Sequence, residues 1–127
     1  MTRFLVDGMN VIGSRPDGWW RDRAGAKRRL VEELGRFAGR TGHEVAVVFD
    51  GRPLDVESGP VRVAFASRRG RNAADHDIAA EAEADPDAGS LTVVTSDADL
   101  AERVREAGAR VEGAGEFRRR LEREPGD

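Results

Sequence analysis

Five short apolar runs limit what this chain can fold into. They fall at residues 3–6, 45–49, 61–66, 91–95 and 110–111. Each is too short for an ordinary helix, and their Val, Leu, Phe and Ala do not alternate with polar residues for long. Runs of this kind are strands buried on both faces. Helical patterns lie between them. Residues 24–39 place Leu30, Val31, Leu34, Phe37 and Ala38 on one stripe. Residues 73–84 and 99–107 are also amphipathic, the latter through Leu100, Val104 and Ala107, and residues 116–123 form a last helix. Strands alternating with helices predict βαβ units with right-handed crossovers, hence an α/β fold with a mostly parallel central sheet of about five strands. The stretch 51–60 is short for a helical crossover, which leaves its path open. Residues 1–123 are expected to form one domain, with 124–127 a frayed tail.

Composition narrows the function classes. Hydrophobic residues at 39% and charged residues at 35% match a globular chain, not a disordered one. Without cysteine, disulfides and thiolate zinc sites are excluded. No apolar run approaches the roughly 20 residues of a membrane span, and Asp7 interrupts the start too early for a signal-peptide core. A cytoplasmic location is the expectation. The net charge of −3 hides an asymmetry: residues 1–71 carry +5 and residues 72–127 carry −8. A basic half beside an acidic half suits phosphate contacts on one side and cation binding on the other, and equally an uneven but ordinary surface. Only one of the 21 basic residues is lysine, which reads as codon bias.

Ligands of open α/β sheets bind beyond the carboxyl ends of the strands. Three predicted strands run into an acid at that edge: Asp7 after Val6, Asp50 after Phe49, and Asp97 after Ser96. Each has a structural explanation. Asp-Gly is common turn chemistry, and Asp97 or Ser96 can cap the next helix, with Ser96-x-x-Asp99 matching a capping box. Three acids at one edge nevertheless repel one another, and a divalent cation removes that cost. Helix phase adds a fourth. At 100° per residue, Asp75 lies at about +60° from Ile78, inside the apolar stripe that must face the sheet. Its partner there is either a metal with its waters, or backbone amides or an arginine. Asp77 points towards the rim and His76 away from the stripe, so no Ser-His-Asp arrangement is expected. Oxygen-only ligands suit Mg²⁺ or Mn²⁺, ions that polarise phosphoryl oxygens and acidify bound water.

The string Phe4-Leu5-Val6-Asp7-Gly8-Met9-Asn10-Val11-Ile12-Gly13 resembles the opening motif of NYN domains, in the PIN-like nuclease superfamily. Later matches follow in the family's order: Val47-Val48-Phe49-Asp50, Ala74-Asp75-xx-Ile78, and Val93-Val94-Thr95-Ser96-Asp97-x-Asp99-Leu100. Within NYN proteins the chain is most similar to the YacP-like group. The resemblance implies a PIN-like three-layer fold and metal-dependent endonuclease action on RNA. It implies Asp7, Asp75 and Asp97 as metal-binding acids, Asp99 as a less constant fourth, and Asn10 as a polar residue hydrogen-bonded within the pocket. Some members act on ribosome-bound message, which makes the ribosome a candidate partner.

Arginines supply candidate RNA contacts. Arg68, Arg69 and Arg71 precede the Asp75 helix, Arg52 follows Asp50, and Arg15 opens a second basic group that includes Arg21, Arg23, Lys27, Arg28 and Arg29. Guanidinium forks match phosphate oxygens, although solvated arginines or pairs with Glu32 or Glu33 account for some of them equally well. Trp19-Trp20 sit in a loop where one ring can stack on a base and the other staple the next helix. The leading expectation is an Mg²⁺- or Mn²⁺-dependent endoribonuclease. The alternatives are an RNA-binding module without catalysis, and a nucleotide enzyme. The last is disfavoured because Asn10 replaces the middle glycine of the loose fingerprint Gly8-x-Asn10-x-x-Gly13.

Overall fold

The computed structural model describes residues 2–70 and 72–123. Arg71 and the tail at 124–127 therefore lie outside the described residues. Five strands form one sheet: β1 (Arg3–Asp7), β2 (Glu44–Phe49), β3 (Arg62–Phe65), β4 (Leu91–Val94) and β5 (Arg110–Glu112). The helices are α1 (Gly8–Gly13), α2 (Arg23–Thr41), α3 (Ala73–Ala84), α4 (Ala98–Glu106) and α5 (Ala114–Glu122), with short 3-10 turns at Trp19–Arg21 and Ala88–Ser90. The strand order is β3-β2-β1-β4-β5 and every pairing is parallel. The expected α/β architecture is present, and its sheet is wholly parallel. None of the described helices is long and apolar enough to cross a membrane.

Side-chain alternation divides the strands between two layers. Phe4 and Val6, with Val45, Val47 and Phe49, face a core closed by Val11 and Ile12 of α1, Leu30, Leu34 and Phe37 of α2, and Phe117 of α5. Leu5, Ala46, Val48 and Val93 face a second core with Ala74, Ile78 and Ala82 of α3 and Leu100 and Val104 of α4. This double burial is why the strand sequences are apolar throughout. The α2 stripe buries all five residues named from its periodicity, and Lys27 besides. Asp22 caps this helix through Gly25 N at 3.0 Å, and Gly42, at φ 76°, ends it in the left-handed conformation.

Two local features go beyond the sequence expectation, one of them left open by it. The β2–β3 crossover has no helix among residues 51–60, and Val56 packs against the first core in its place. A single six-residue helix, α1, starts directly after β1, so Asp7-Gly8 is not a turn. Gly8 is absent from the positive-φ glycines; it is needed for space. A Cβ there would meet the Phe49 ring at 2.5 Å and Val47 at 3.0 Å. By contrast Gly51, after Asp50, has φ 94° and is true turn chemistry. We predict that Gly8→Ala destabilises the fold by about 1–3 kcal/mol through overpacking, despite alanine's helix propensity. Urea unfolding reads the change, and an unaltered midpoint would mean that Phe49 moves aside freely.

Candidate active site

The strand order reverses between β1 and β4, so the crevice at their carboxyl ends is the topological switch point of the sheet. Asp7 ends β1 there. Register pairs Val6 with Val94, which brings Asp7 beside Thr95. Asp7 shares the parity of Leu5, and Thr95 that of Val93, so both belong to the α3–α4 face. The Thr95 hydroxyl donates to Asp7 Oδ2 at 2.9 Å and accepts from Asp97 N at 3.1 Å. One buried hydroxyl thus ties the two strand-end acids together. Asn10 secures the same seam from α1, its Oδ1 accepting from Ser96 N at 2.8 Å.

Two of the acids cap helices at this edge. Asp97 caps α4, with Oδ1 accepting from Leu100 N at 2.9 Å. Its Oδ2 has no hydrogen bond among the described residues. Ser96 does not cap α4: its hydroxyl accepts from Ala114 N, at the start of α5, at 2.9 Å. Asp50 reaches across to cap α3, accepting from Ala74 N at 2.8 Å. Asn72 precedes that helix at φ 62°, the only positive φ outside glycine among the described residues. The Asp50 carbonyl in turn accepts from the buried Lys27 Nζ at 2.8 Å. These bonds deliver Asp75, in the first turn of α3, half-buried into the edge that holds Asp7.

Electrostatics mark two of the acids. Asp7 is only 4% exposed. Burial pushes its carboxyl up to about 7, with Asp75 and Asp50 adding repulsion, against hydrogen bonds from the Thr95 hydroxyl and the Asn10 backbone N–H. Burial, Asp97 and Asp50 push Asp75 up to about 6. Neither is in a salt bridge among the described residues. Asp99 is exposed in the first turn of α4 and plays no part in either shift. Asp77 is engaged elsewhere, accepting from Ser67 N at 2.6 Å and Ser67 Oγ at 2.7 Å. As placed, no three carboxylate or imidazole groups among the described residues converge to hold one ion. The donor set still fits a hard divalent cation, which keeps several waters and often takes only one or two carboxylates plus substrate phosphates.

The arginines separate into two kinds. Arg52, Arg68 and Arg69 are exposed around a cavity of about 410 Å³ that Gly51, Pro53 and Ser67 help to line. Arg68 also touches His76 Nε2 at 3.2 Å. Arg15 departs from the expectation of a free phosphate contact. Its guanidinium is forked onto Glu33 at 2.8 and 2.9 Å, with Glu122 at 3.7 Å, bracing α2 and α5. The sequence reading missed Thr95, although its strand parity with Val93 was available. It also did not single out Lys27, although a lone lysine among 20 arginines was a signal.

The raised carboxyls give stability a sign against pH. The folded chain binds a proton on Asp7 up to about 7, against 3.8 for the ordinary group. Between those values the folded state holds more protons than the unfolded one, so stability falls as pH rises from about 4 to about 7. Asp75 adds to the same fall, whereas Asp85, held low by its hydrogen bond to Arg3, acts with the opposite sign at more acid pH. With chelator present, Asp7→Asn should flatten the fall and exceed the parent's stability at pH 8 by roughly 1–3 kcal/mol. Urea denaturation at pH 5 and pH 8 measures it, and a parent equally stable at both would contradict it.

Comparison with known proteins agrees with this architecture. No curated protein sequence matches the chain significantly. Among solved structures, the chain is similar to the crystal structure of Rae1 (YacP) from Bacillus subtilis, at 29% identity and a TM-score of 0.80, covering 96% of this chain and 74% of that one. A point mutant of the same protein gives 28% identity and a TM-score of 0.79, covering 96% and 76%. The family model described as the YacP-like NYN domain matches residues 4–126. The chain belongs to the YacP-like NYN domain family and is a nuclease-family domain.

Proposed function

We propose that this chain is a divalent-metal-dependent endoribonuclease, residues 1–123 forming its single catalytic domain. The observation that carries the proposal is a pair of acids, buried Asp7 and half-buried Asp75. Both are raised by burial and by neighbouring carboxylates, and both stand at the switch point of a parallel sheet. Unpaired buried acids are costly unless a cation relieves them. In this reading Asp7 and Asp75 hold Mg²⁺ or Mn²⁺, and Asp97 joins through its Oδ2, directly or through water. Such an ion neutralises the acids, polarises the phosphoryl oxygen and acidifies a water molecule. Asn10 and Thr95 keep the β1–β4 seam rigid, and exposed Asp99 meets substrate or water at the rim. Arg52, Arg68 and Arg69 hold the RNA backbone as phosphate forks. Water adds to phosphorus and the P–O3′ bond breaks, leaving a 5′-phosphate and a 3′-hydroxyl. The substrate is single-stranded RNA or message in the cytoplasm, with the ribosome a candidate place of encounter.

One observation favours a second reading. The lack of three converging ligands among the described residues suits an RNA-binding module without catalysis. Such a module binds RNA with a steep salt dependence that is insensitive to chelator. Under the leading reading, wild-type protein with Mn²⁺ cleaves labelled single-stranded RNA. Asp7→Asn and Asp75→Asn each cut the rate by about a hundredfold or more. Mn²⁺ should also raise the melting temperature of the wild type, but not of Asp7→Asn, by ligand linkage. Equal cleavage by wild type and both variants would sink the assignment.

A further inference from the structure

The 3-10 turn Trp19–Arg21 presents an aromatic surface that the proposed chemistry does not use. Trp20 is 56% exposed, the only large hydrophobic side chain so exposed among the described residues. It is braced: the Trp19 ring meets it edge-on, with centroids 6.0 Å apart and planes at 85°. Trp19 is itself half-buried and packs against the first core. The Arg21 guanidinium lies 5.8 Å from the Trp20 centroid, and that of Arg23 lies 5.3 Å from Trp19. Trp19, Arg23, Lys27, Asp50 and Arg52 together line an open groove of about 670 Å³. This groove reaches the acid edge, because Asp50 is the residue that caps α3 and raises both Asp7 and Asp75.

From this arrangement we infer that Trp20 is a stacking platform for an unpaired base of the RNA substrate. The groove lined by its neighbour Trp19 carries the sugar–phosphate chain between that base and the acids. The inference rests on the ribonuclease reading and adds a binding subsite to it. A flat, rigid indole accepts the face of any base, and stacking is tolerant of sequence. Arg21, Arg23 and Arg52 make no salt bridge among the described residues, so their charge is available to phosphate. A protein partner fits less well. One exposed indole with Arg21 against it is far smaller than the contiguous apolar patch of a protein interface.

The test measures the affinity of labelled single-stranded RNA by fluorescence anisotropy, in chelator to stop cleavage. Wild type, Trp20→Ala and Trp20→Phe are compared, with folding checked by thermal melts. Trp20→Ala should bind about tenfold or more weakly, and Trp20→Phe should recover most of the loss. An oligomer of the same length with abasic sugars should bind wild type more weakly, and the penalty should shrink in Trp20→Ala. Wild type and Trp20→Ala binding RNA equally, with Mn²⁺-dependent cleavage intact, overturns the stacking site and leaves the nuclease reading standing. No salt-dependent RNA binding by wild type overturns both.

Discussion

Parallel strands cannot be joined by tight turns, so each return must cross a face of the sheet. That constraint organises this molecule. Four crossovers connect five strands, helices cover both faces, and every strand ends at the same edge. The chain moves outward from β1 through β2 to β3, then returns to pair β4 with the other side of β1. The return opens the crevice at the centre of the sheet. It also explains why residues 88 positions apart, Asp7 and Thr95, are hydrogen-bonded neighbours.

Placing carboxylates in that crevice sets solvation against charge. Asp7 sits on a central strand with both cores around it, and water is largely excluded. Its partners are hydrogen-bond donors without full charge, and its charged neighbours are acids. Asp75, half-buried on α3, is pushed the same way by burial and by the acids Asp97 and Asp50. The protein holds these groups in place with two neutral bonds, from the Thr95 hydroxyl and to the Asn10 amide oxygen from Ser96 N, and one charge-assisted bond, from Lys27 to the Asp50 carbonyl. Lys27 is instructive. Its ammonium lies beside the Phe49–Phe65 pair, at 5.8 and 6.0 Å from their centroids, where a point charge reaches one carbonyl.

Asp50 and Asp97 show that capping and site-building are not rival explanations. Each uses one oxygen to satisfy an amide at a helix start, Ala74 N or Leu100 N. By doing so each fixes its own helix at the acid edge, and in α3 that sets the direction of Asp75. Local helix chemistry therefore aligns the acids. The left-handed backbone at Asn72 belongs to the same device, because it turns the chain into α3 while leaving the cap to a distant residue.

Much of this was legible from residues alone. Continuous apolar runs specified doubly covered strands, and helix phase selected Asp75 over Asp77 and His76. The strand ends named Asp7, Asp50 and Asp97. These features are local, and periodicity encodes them directly. The α1 helix escaped notice because six residues are too few to show a helical period, and Asp-Gly resembles a turn. The need for glycine at position 8 arises from Phe49, some 40 residues away, and no local pattern contains that distance. Arg15 was indistinguishable from its neighbours until Glu33 and Glu122 were brought to it. The sequence by itself determined the elements, their faces and the kinds of residue at the edge. Tertiary structure decided which acids lose their water and which arginines keep their charge free, because desolvation and ion pairing depend on distances that only strand order and helix packing set.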